Sequence, residues 1–339
     1  MPQEIQALTL FEVREPKSGR ILQLLKATTR EGLTGWGEAR GAVAADLADA
    51  SRHWQGKPAT AYGTIPPGPL SGALDTAFLD IVGKAAKAPV YRLLGGPTRN
   101  KARAFASISD EEAIAAARAA GHKALAIRLP APKARNQGQP YTAAVQSLAN
   151  SVRATEADFI LSANSRLTPG DAARLATELE RLHPLWFDEP CPIANQQTIR
   201  KIAEESVLPL GFGRDIQNPA IFQDLLRQSL IDIARPDIVH FGVTGCRRIA
   251  ALAETYYVAV APNHEAGPIA TAAALQLAAS LPNFFIQHIP LPTAPEDRAM
   301  RAEIAGPIET VKDGFCALPD GPGLGVQVNE QALEKYRAS

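Results

Sequence analysis

From Ala102 onward one pattern repeats eight times: a short apolar run of β-type residues, then an amphipathic helical stretch, with no hairpin turn between them. The runs fall near Phe105, Ile127, Ser162, Asp188, Gly211, Ala234, Ala261 and Ile286, at intervals of 22, 35, 26, 23, 23, 27 and 25 residues. Strands joined by helices rather than by hairpins lie parallel, and an all-parallel sheet needs helices over its faces. Eight such units predict a closed (β/α)8 barrel. An open doubly wound sheet would carry a glycine-rich turn after its first strand, and Ile108-Ser-Asp-Glu has none.

The flanks read differently. Leu8 to Val13 and Ile21 to Lys26 alternate apolar and polar residues and lead into Gly32-Leu-Thr-Gly-Trp-Gly-Glu-Ala-Arg40, the pattern of a small antiparallel meander. Helical patterns follow at Ala42 to Trp54 and Leu70 to Ala86, separated by Thr64-Ile-Pro-Pro-Gly-Pro69, which no helix crosses. Residues 1–98 therefore form an α+β unit, 99–306 the barrel, and 307–339 a turn-rich segment with a short final helix that returns to the first unit. The glycines of Gly321-Pro-Gly-Leu-Gly325 neither follow a strand nor open a helix, which argues against a phosphate-cradling loop.

Thirty-five Lys+Arg balance 35 Asp+Glu, so no basic field exists to hold a nucleic acid or an anionic membrane surface. The amino terminus has no cationic segment followed by an apolar run, and a cytoplasmic protein is expected. Cys191, Cys246 and Cys316 are too few and too widely spaced for a disulfide framework or a zinc knuckle.

In a (β/α)8 barrel the chemistry sits at the carboxyl ends of the strands. Those ends are polar here: Arg128, Ser162 and Asn164, Asp188 and Glu189, Arg214, Asp237, Asn263 and His264, and Gln287 and His288. Any one is ordinarily a solvated strand terminus. Together, cations at Arg128 and Arg214 with carboxylates at Asp188 and Asp237 suit a small polar ligand, often an anion.

The segments Gly35-Trp-Gly-Glu-Ala39, Ala73-Leu-Asp75 through Asp80 and Gly83-Lys84 to Pro89-Val-Tyr-Arg-Leu-Leu-Gly-Gly96, Trp186-Phe-Asp-Glu-Pro190, Pro236-Asp237 and Gly267-Pro-Ile-Ala-Thr-Ala-Ala273 resemble the enolase superfamily, in its mandelate racemase and muconate lactonizing enzyme branch. The resemblance covers nearly the whole chain. It implies an α/β fold, a modified TIM barrel under a capping domain built from the amino terminus and the carboxyl-terminal tail, and a homo-oligomer. It also implies isomerase or lyase chemistry on a carboxylate held by Mg²⁺, with the α-proton removed by a lysine or by an Asp–His dyad.

The family's three metal ligands fall on Ser162, Asp188 and Arg214, so two of the three positions are substituted and no metal is expected. Glu189, or Asp215 after a one-residue slip at strand five, would be the remaining oxygen ligands. The lysine pair falls on Ala126-Ile-Arg128. The dyad keeps Asp237, but its histidine position reads Asn263. His264 stands beside it and can serve only if the strand has ended or bulged there. His288 falls where the family has a carboxylate. Two functions remain open. One is a metal-independent isomerase or dehydratase of hydroxy acids or acid sugars, with Arg128, Asp237, His264 and His288 as catalytic candidates and Arg214, Asp188, Asn164 and Asn263 binding the substrate. There Asp188 pairs with Arg214, and Asp237 orients a histidine. The other is a catalytically silent relative that binds a small anion or acts as a scaffold.

Overall fold

The computed structural model describes residues 3–132, 138–193 and 196–338. The amino-terminal unit is a three-stranded antiparallel sheet in the order β1 (Ile5–Arg14), β2 (Ile21–Thr29), β3 (Thr34–Ala39), followed by α1 (Ala44–Trp54), α2 (Ser71–Ala85) and a single turn α3 (Val90–Leu93). The Gly-Trp-Gly-Glu segment is β3 itself. Its two glycines let the strand lie directly on α2, because a Cβ at Gly35 or Gly37 would collide with the carbonyl oxygens of Ala77 or Ala73. Buried Asp80 then ties three parts of the chain together, accepting from the Trp36 amide (3.0 Å), the Lys84 ammonium (2.7 Å) and the Leu324 amide (2.8 Å).

The eight expected strands are present: β4 (Lys101–Ile108), β5 (Ala124–Arg128), β6 (Asp158–Ser162), β7 (Phe187–Asp188), β8 (Leu210–Phe212), β9 (Ile233–Ala234), β10 (Ala259–Val260) and β11 (Gln287–His288). Each pairs in parallel with the next from β4 to β10, and β11 pairs in parallel with β4. Between β10 and β11 only the bridge Val260 to Phe284 closes the ring, through Val260 N–H to Asn283 O (2.9 Å) and Phe285 N–H to Val260 O (2.8 Å). Alternation along the strands separates two cores. Phe105, Ala124, Ala126, Ile160, Trp186 and Ile233 fill the barrel, while Leu125, Ile127, Phe159, Leu161 and Phe187 face the surrounding helices.

Those helices are α4 (Glu111–Ala119), α5 (Gln139–Arg153), α6 (Pro169–Leu179), α7 (Gln196–Glu205), α8 (Pro219–Arg227), α9 (Ile238–Glu254), α10 (Pro268–Ala278) and α11 (Pro295–Ala305). Proline opens α6, α8, α10 and α11, where its missing N–H costs nothing. Asp110, Thr168, Asn218 and Asp237 cap α4, α6, α8 and α9.

The tail does more than return to the first unit. It forms an unexpected hairpin, β12 (Val311–Lys312) and β13 (Phe315–Ala317), and β13 adds antiparallel to the start of β4. Only then does it cross to the cap, where Gly323 packs against Asp80, α12 (Glu330–Lys335) meets β1, and Arg337 bridges to Val13. Cap and barrel are clamped by Arg301 of α11, which is 1% exposed and donates to Glu15 (2.9 Å), Glu309 (2.6 and 2.7 Å) and the Ala266 carbonyl (2.8 Å). Among the described residues no helix is long and apolar enough to cross a membrane.

Candidate active site

The centre of the barrel mouth is an ion pair. Asp188 follows Trp186 on the inward face of β7, and Arg235 follows Ile233 on the inward face of β9. Arg235 Nη1 donates to Asp188 Oδ1 over 2.6 Å, the Trp186 indole N–H donates to the same oxygen (2.9 Å), and the Ser162 hydroxyl donates to Oδ2 (3.1 Å). Both charged side chains are under 5% exposed, and the guanidinium lies 5.5 Å from the Trp186 ring and 5.7 Å from Phe105. The chain of contacts continues outward. Arg235 Nη2 donates to Asn263 Oδ1 (2.8 Å), and Asn263 Nδ2 donates to Asp237 Oδ2 (3.0 Å). Asp237 Oδ2 also accepts from Arg40 of the cap (3.2 Å).

Around this centre runs a second, looser ring. Arg128 at the end of β5 and Arg214 after β8 both reach Glu265 Oε1, at 3.4 and 3.3 Å. Burial alone would raise the Glu265 carboxyl, but the charges of Arg128, His288 and Arg214 turn the net shift downward. The narrow cleft between the two rings is also lined by Ser107 and Asn164. His288 closes one side. Its Nδ1 lies 3.0 Å from the His264 carbonyl, which can only accept, so Nδ1 carries the proton and Nε2 turns to the Ser107 hydroxyl at 3.2 Å. Burial lowers the His288 pKa to about 4, so the ring is neutral at pH 7.

Several expectations need correcting. Asp188 pairs with Arg235, not with Arg214. His264 does not line the cleft; it is fully buried, with Nε2 at 3.4 Å from Thr271 Oγ1, and burial holds its pKa well below 6.5. Asn263 and Glu265 face the cleft on either side of it, which is what strand alternation dictates. Asp237 orients no histidine ring, because its oxygens cap α9 at Val239 (2.9 Å) and His240 (3.2 Å) and hold Asn263 and Arg40. Arg128, Arg214, Asp188, Asn164, Asn263, Ser162 and His288 do come together at the mouth.

The donor set does not fit Mg²⁺. Ser162 is neutral, Arg214 is cationic, and both oxygens of Asp188 are engaged, one of them by a guanidinium. A hard divalent ion needs several oxygen ligands and would stand against that buried positive charge. Glu189 supplies none: its Oε1 accepts from the amides of Gly213 (2.8 Å) and Arg214 (2.7 Å), and burial and the Asp188 charge raise its pKa to about 7. Asp215 is turned to Ser165 (3.4 Å). Among the described residues no three His, Cys, Asp or Glu side chains are grouped to hold a metal. The three thiols are buried and free, and burial raises Cys191 to about 11 and Cys316 to about 12.

Sequence reasoning missed Arg235, Glu265, Arg40 and Ser107. For three of them a signal existed. Arg235, Glu265 and Ser107 each stand an even number of residues beyond an inward core residue, namely Ile233, Ala261 and Phe105. Arg40 had none, since its role depends on how the cap sits on the barrel.

Residues 109–332 match the family described as Enolase C-terminal domain-like. A D-galactonate dehydratase family member of Streptomyces bingchenggensis is 30% identical over 97% of this chain and 93% of its own. A D-mannonate dehydratase of a Sphingomonas species is 31% identical over 78% of this chain and 73% of its own. A solved mandelate racemase/muconate lactonizing enzyme-like protein from Roseovarius sp. TM1035 is 25% identical and superposes with a TM-score of 0.87 over 99% of this chain and 96% of that one. The match over most of the chain, the closed parallel barrel and its amino-terminal cap lead to one assignment: this chain belongs to the enolase superfamily, in the mandelate racemase/muconate lactonizing enzyme branch.

Proposed function

We propose that this protein binds a small sugar acid at the barrel mouth and acts on it as a metal-independent lyase of the dehydratase type. The observation that carries the reading is the buried Arg235–Asp188 pair, which puts a permanent cation where the resemblance places a metal. The relatives named as D-galactonate, D-mannonate and D-xylonate dehydratases support the substrate class. Arg128 and Arg214 hold the carboxylate by charge-assisted hydrogen bonds. His288 Nε2 accepts the proton from the carbon α to it, and the electron pair left behind becomes an enediolate whose charge faces the guanidinium groups. The imidazolium then gives that proton to the β-hydroxyl, which departs as water, and the resulting enol tautomerises to a 2-keto acid. A histidine with a pKa of about 4 is a weak base but a strong acid, so departure of water is the better-served half.

One observation favours binding without turnover: of the lining side chains, only His288 is a neutral proton acceptor, and it is a weak one. Metal-stripped protein incubated with D-galactonate, D-mannonate and D-xylonate in D₂O separates the readings. Loss of the α-proton signal and release of 2-keto acid without added Mg²⁺ is the expected result. Calorimetric binding without exchange selects the silent relative, and binding or turnover only with Mg²⁺ overturns the proposal.

A further inference from the structure

The charged contacts of the mouth fall into two kinds. Asp188 is held at 2.6 Å by a guanidinium that is itself 3% exposed. Glu265 is held at 3.3 and 3.4 Å, both contacts through one oxygen, by Arg214 and Arg128, with side-chain exposures of 39%, 15% and 44% for the three. Charge-assisted bonds ordinarily close to about 2.7–2.9 Å, and long pairs open to water contribute little. The Glu265 pairs are thus the ones an incoming anion can exchange without opening the barrel core.

The surroundings of that carboxylate are also those a ligand carboxylate requires. Arg128 and Arg214 reach it from the barrel, and the charge of Arg20 on the β1–β2 turn of the cap also favours its ionised form. Arg20 is exposed, and among the described residues its guanidinium has no hydrogen bond or ion pair. The turn carrying it is pinned to α11 by Lys17 and Ser18 amides donating to Asp297 (2.8 and 3.0 Å).

We infer that Glu265 is an internal counter-ion seated in the carboxylate subsite, and that the ligand's carboxylate binds by displacing it from Arg128 and Arg214. The inference rests on the carboxylate-binding reading above. Glu265 then sets the affinity threshold of the site: weak monoanions fail to displace it, and acids that also reach Arg235, which lines the same cleft, succeed.

Calorimetric titration of wild type, Glu265→Gln, Glu265→Ala, Arg128→Ala and Arg214→Ala with glycolate and with D-galactonate tests this. Both Glu265 variants are expected to bind glycolate about tenfold more tightly than wild type, the equivalent of two exposed ion pairs. Unchanged or weaker binding by both variants, at wild-type thermal midpoints, overturns the counter-ion role. The carboxylate-binding reading survives that result if Arg128→Ala or Arg214→Ala weakens D-galactonate binding. It fails, and the inference with it, if neither arginine matters or no variant binds either acid.

Discussion

Arg235 Nη1 lies 2.6 Å from Asp188 Oδ1, and neither side chain is more than 4% exposed. Taking both charges out of water is costly, so the pair is weak evidence for stability in itself, but losing one member is expensive. Arg235→Met is expected to destabilise the protein by about 3–5 kcal/mol, because Asp188 is then buried without its cation. The double variant Arg235→Met/Asp188→Leu should recover most of that loss. Urea denaturation measures both, and a single variant within about 1 kcal/mol of wild type would mean that Asp188 is neutralised some other way.

Metal selectivity can be rebuilt by reversing the substitutions. Ser162→Asp with Arg214→Glu supplies carboxylates at the family ligand positions but leaves Arg235 on Asp188, so Mg²⁺ should leave its thermal midpoint unmoved. Adding Arg235→Gln removes the competing cation. The triple variant is expected to gain a Mg²⁺-dependent rise, about 2.7 kcal/mol when the ion is at a hundred times its dissociation constant. Equal responses from the double and triple variants would remove Arg235 as the reason the site rejects the metal.

His288 makes a pH prediction. Its folded pKa of about 4 lies below the unfolded value of about 6.5. Between those values the unfolded chain takes a proton that the folded site refuses, so the stability tied to neutral His288 is lost as pH falls through that window, up to about 3 kcal/mol. Glu189, raised to about 7, and Asp75, raised to about 6 by burial, take up protons in the folded state at a higher pH than in the unfolded chain and act in the opposite direction. The informative quantity is therefore the stability of wild type minus that of His288→Gln, which should fall between pH 7 and pH 4. A flat difference would show that His288 titrates normally.

Packing inside the cap depends on backbone closeness between β3 and α2. In Gly37→Ala the new Cβ meets the Ala73 carbonyl, which is helix backbone and cannot rotate away. The expected cost is about 1–3 kcal/mol, the range for overpacking. Gly63→Ala has open space around it and should be neutral, which makes it the control in the same denaturation series.

Much of the mouth was legible because a strand alternates strictly. Ala126 and Arg128, Ile160 and Ser162, Trp186 and Asp188, and Ile286 and His288 are each an inward core residue followed two positions later by a cleft residue. The same rule puts Asn263 inside and His264 outside. Applied to Ile233 it also reaches Arg235, a residue hidden in the sequence by its place between an apolar run and the Pro236-Asp237 pair.

The sequence alone determined the fold class, the eight strands, the cap and which end of each strand is polar, because those follow from local periodicity and turn chemistry. It also set Ser162, Asp188 and Arg214 at the positions where the resemblance expects metal ligands. Which charges meet was decided only by the tertiary structure. Arg235 and Asp188 are 47 residues apart, Arg40 and Asp237 are 197 apart, and Glu265 reaches Arg128 across 137. Ion pairing depends on distances of a few ångströms and on burial, and neither is set until the barrel closes and the cap is in place.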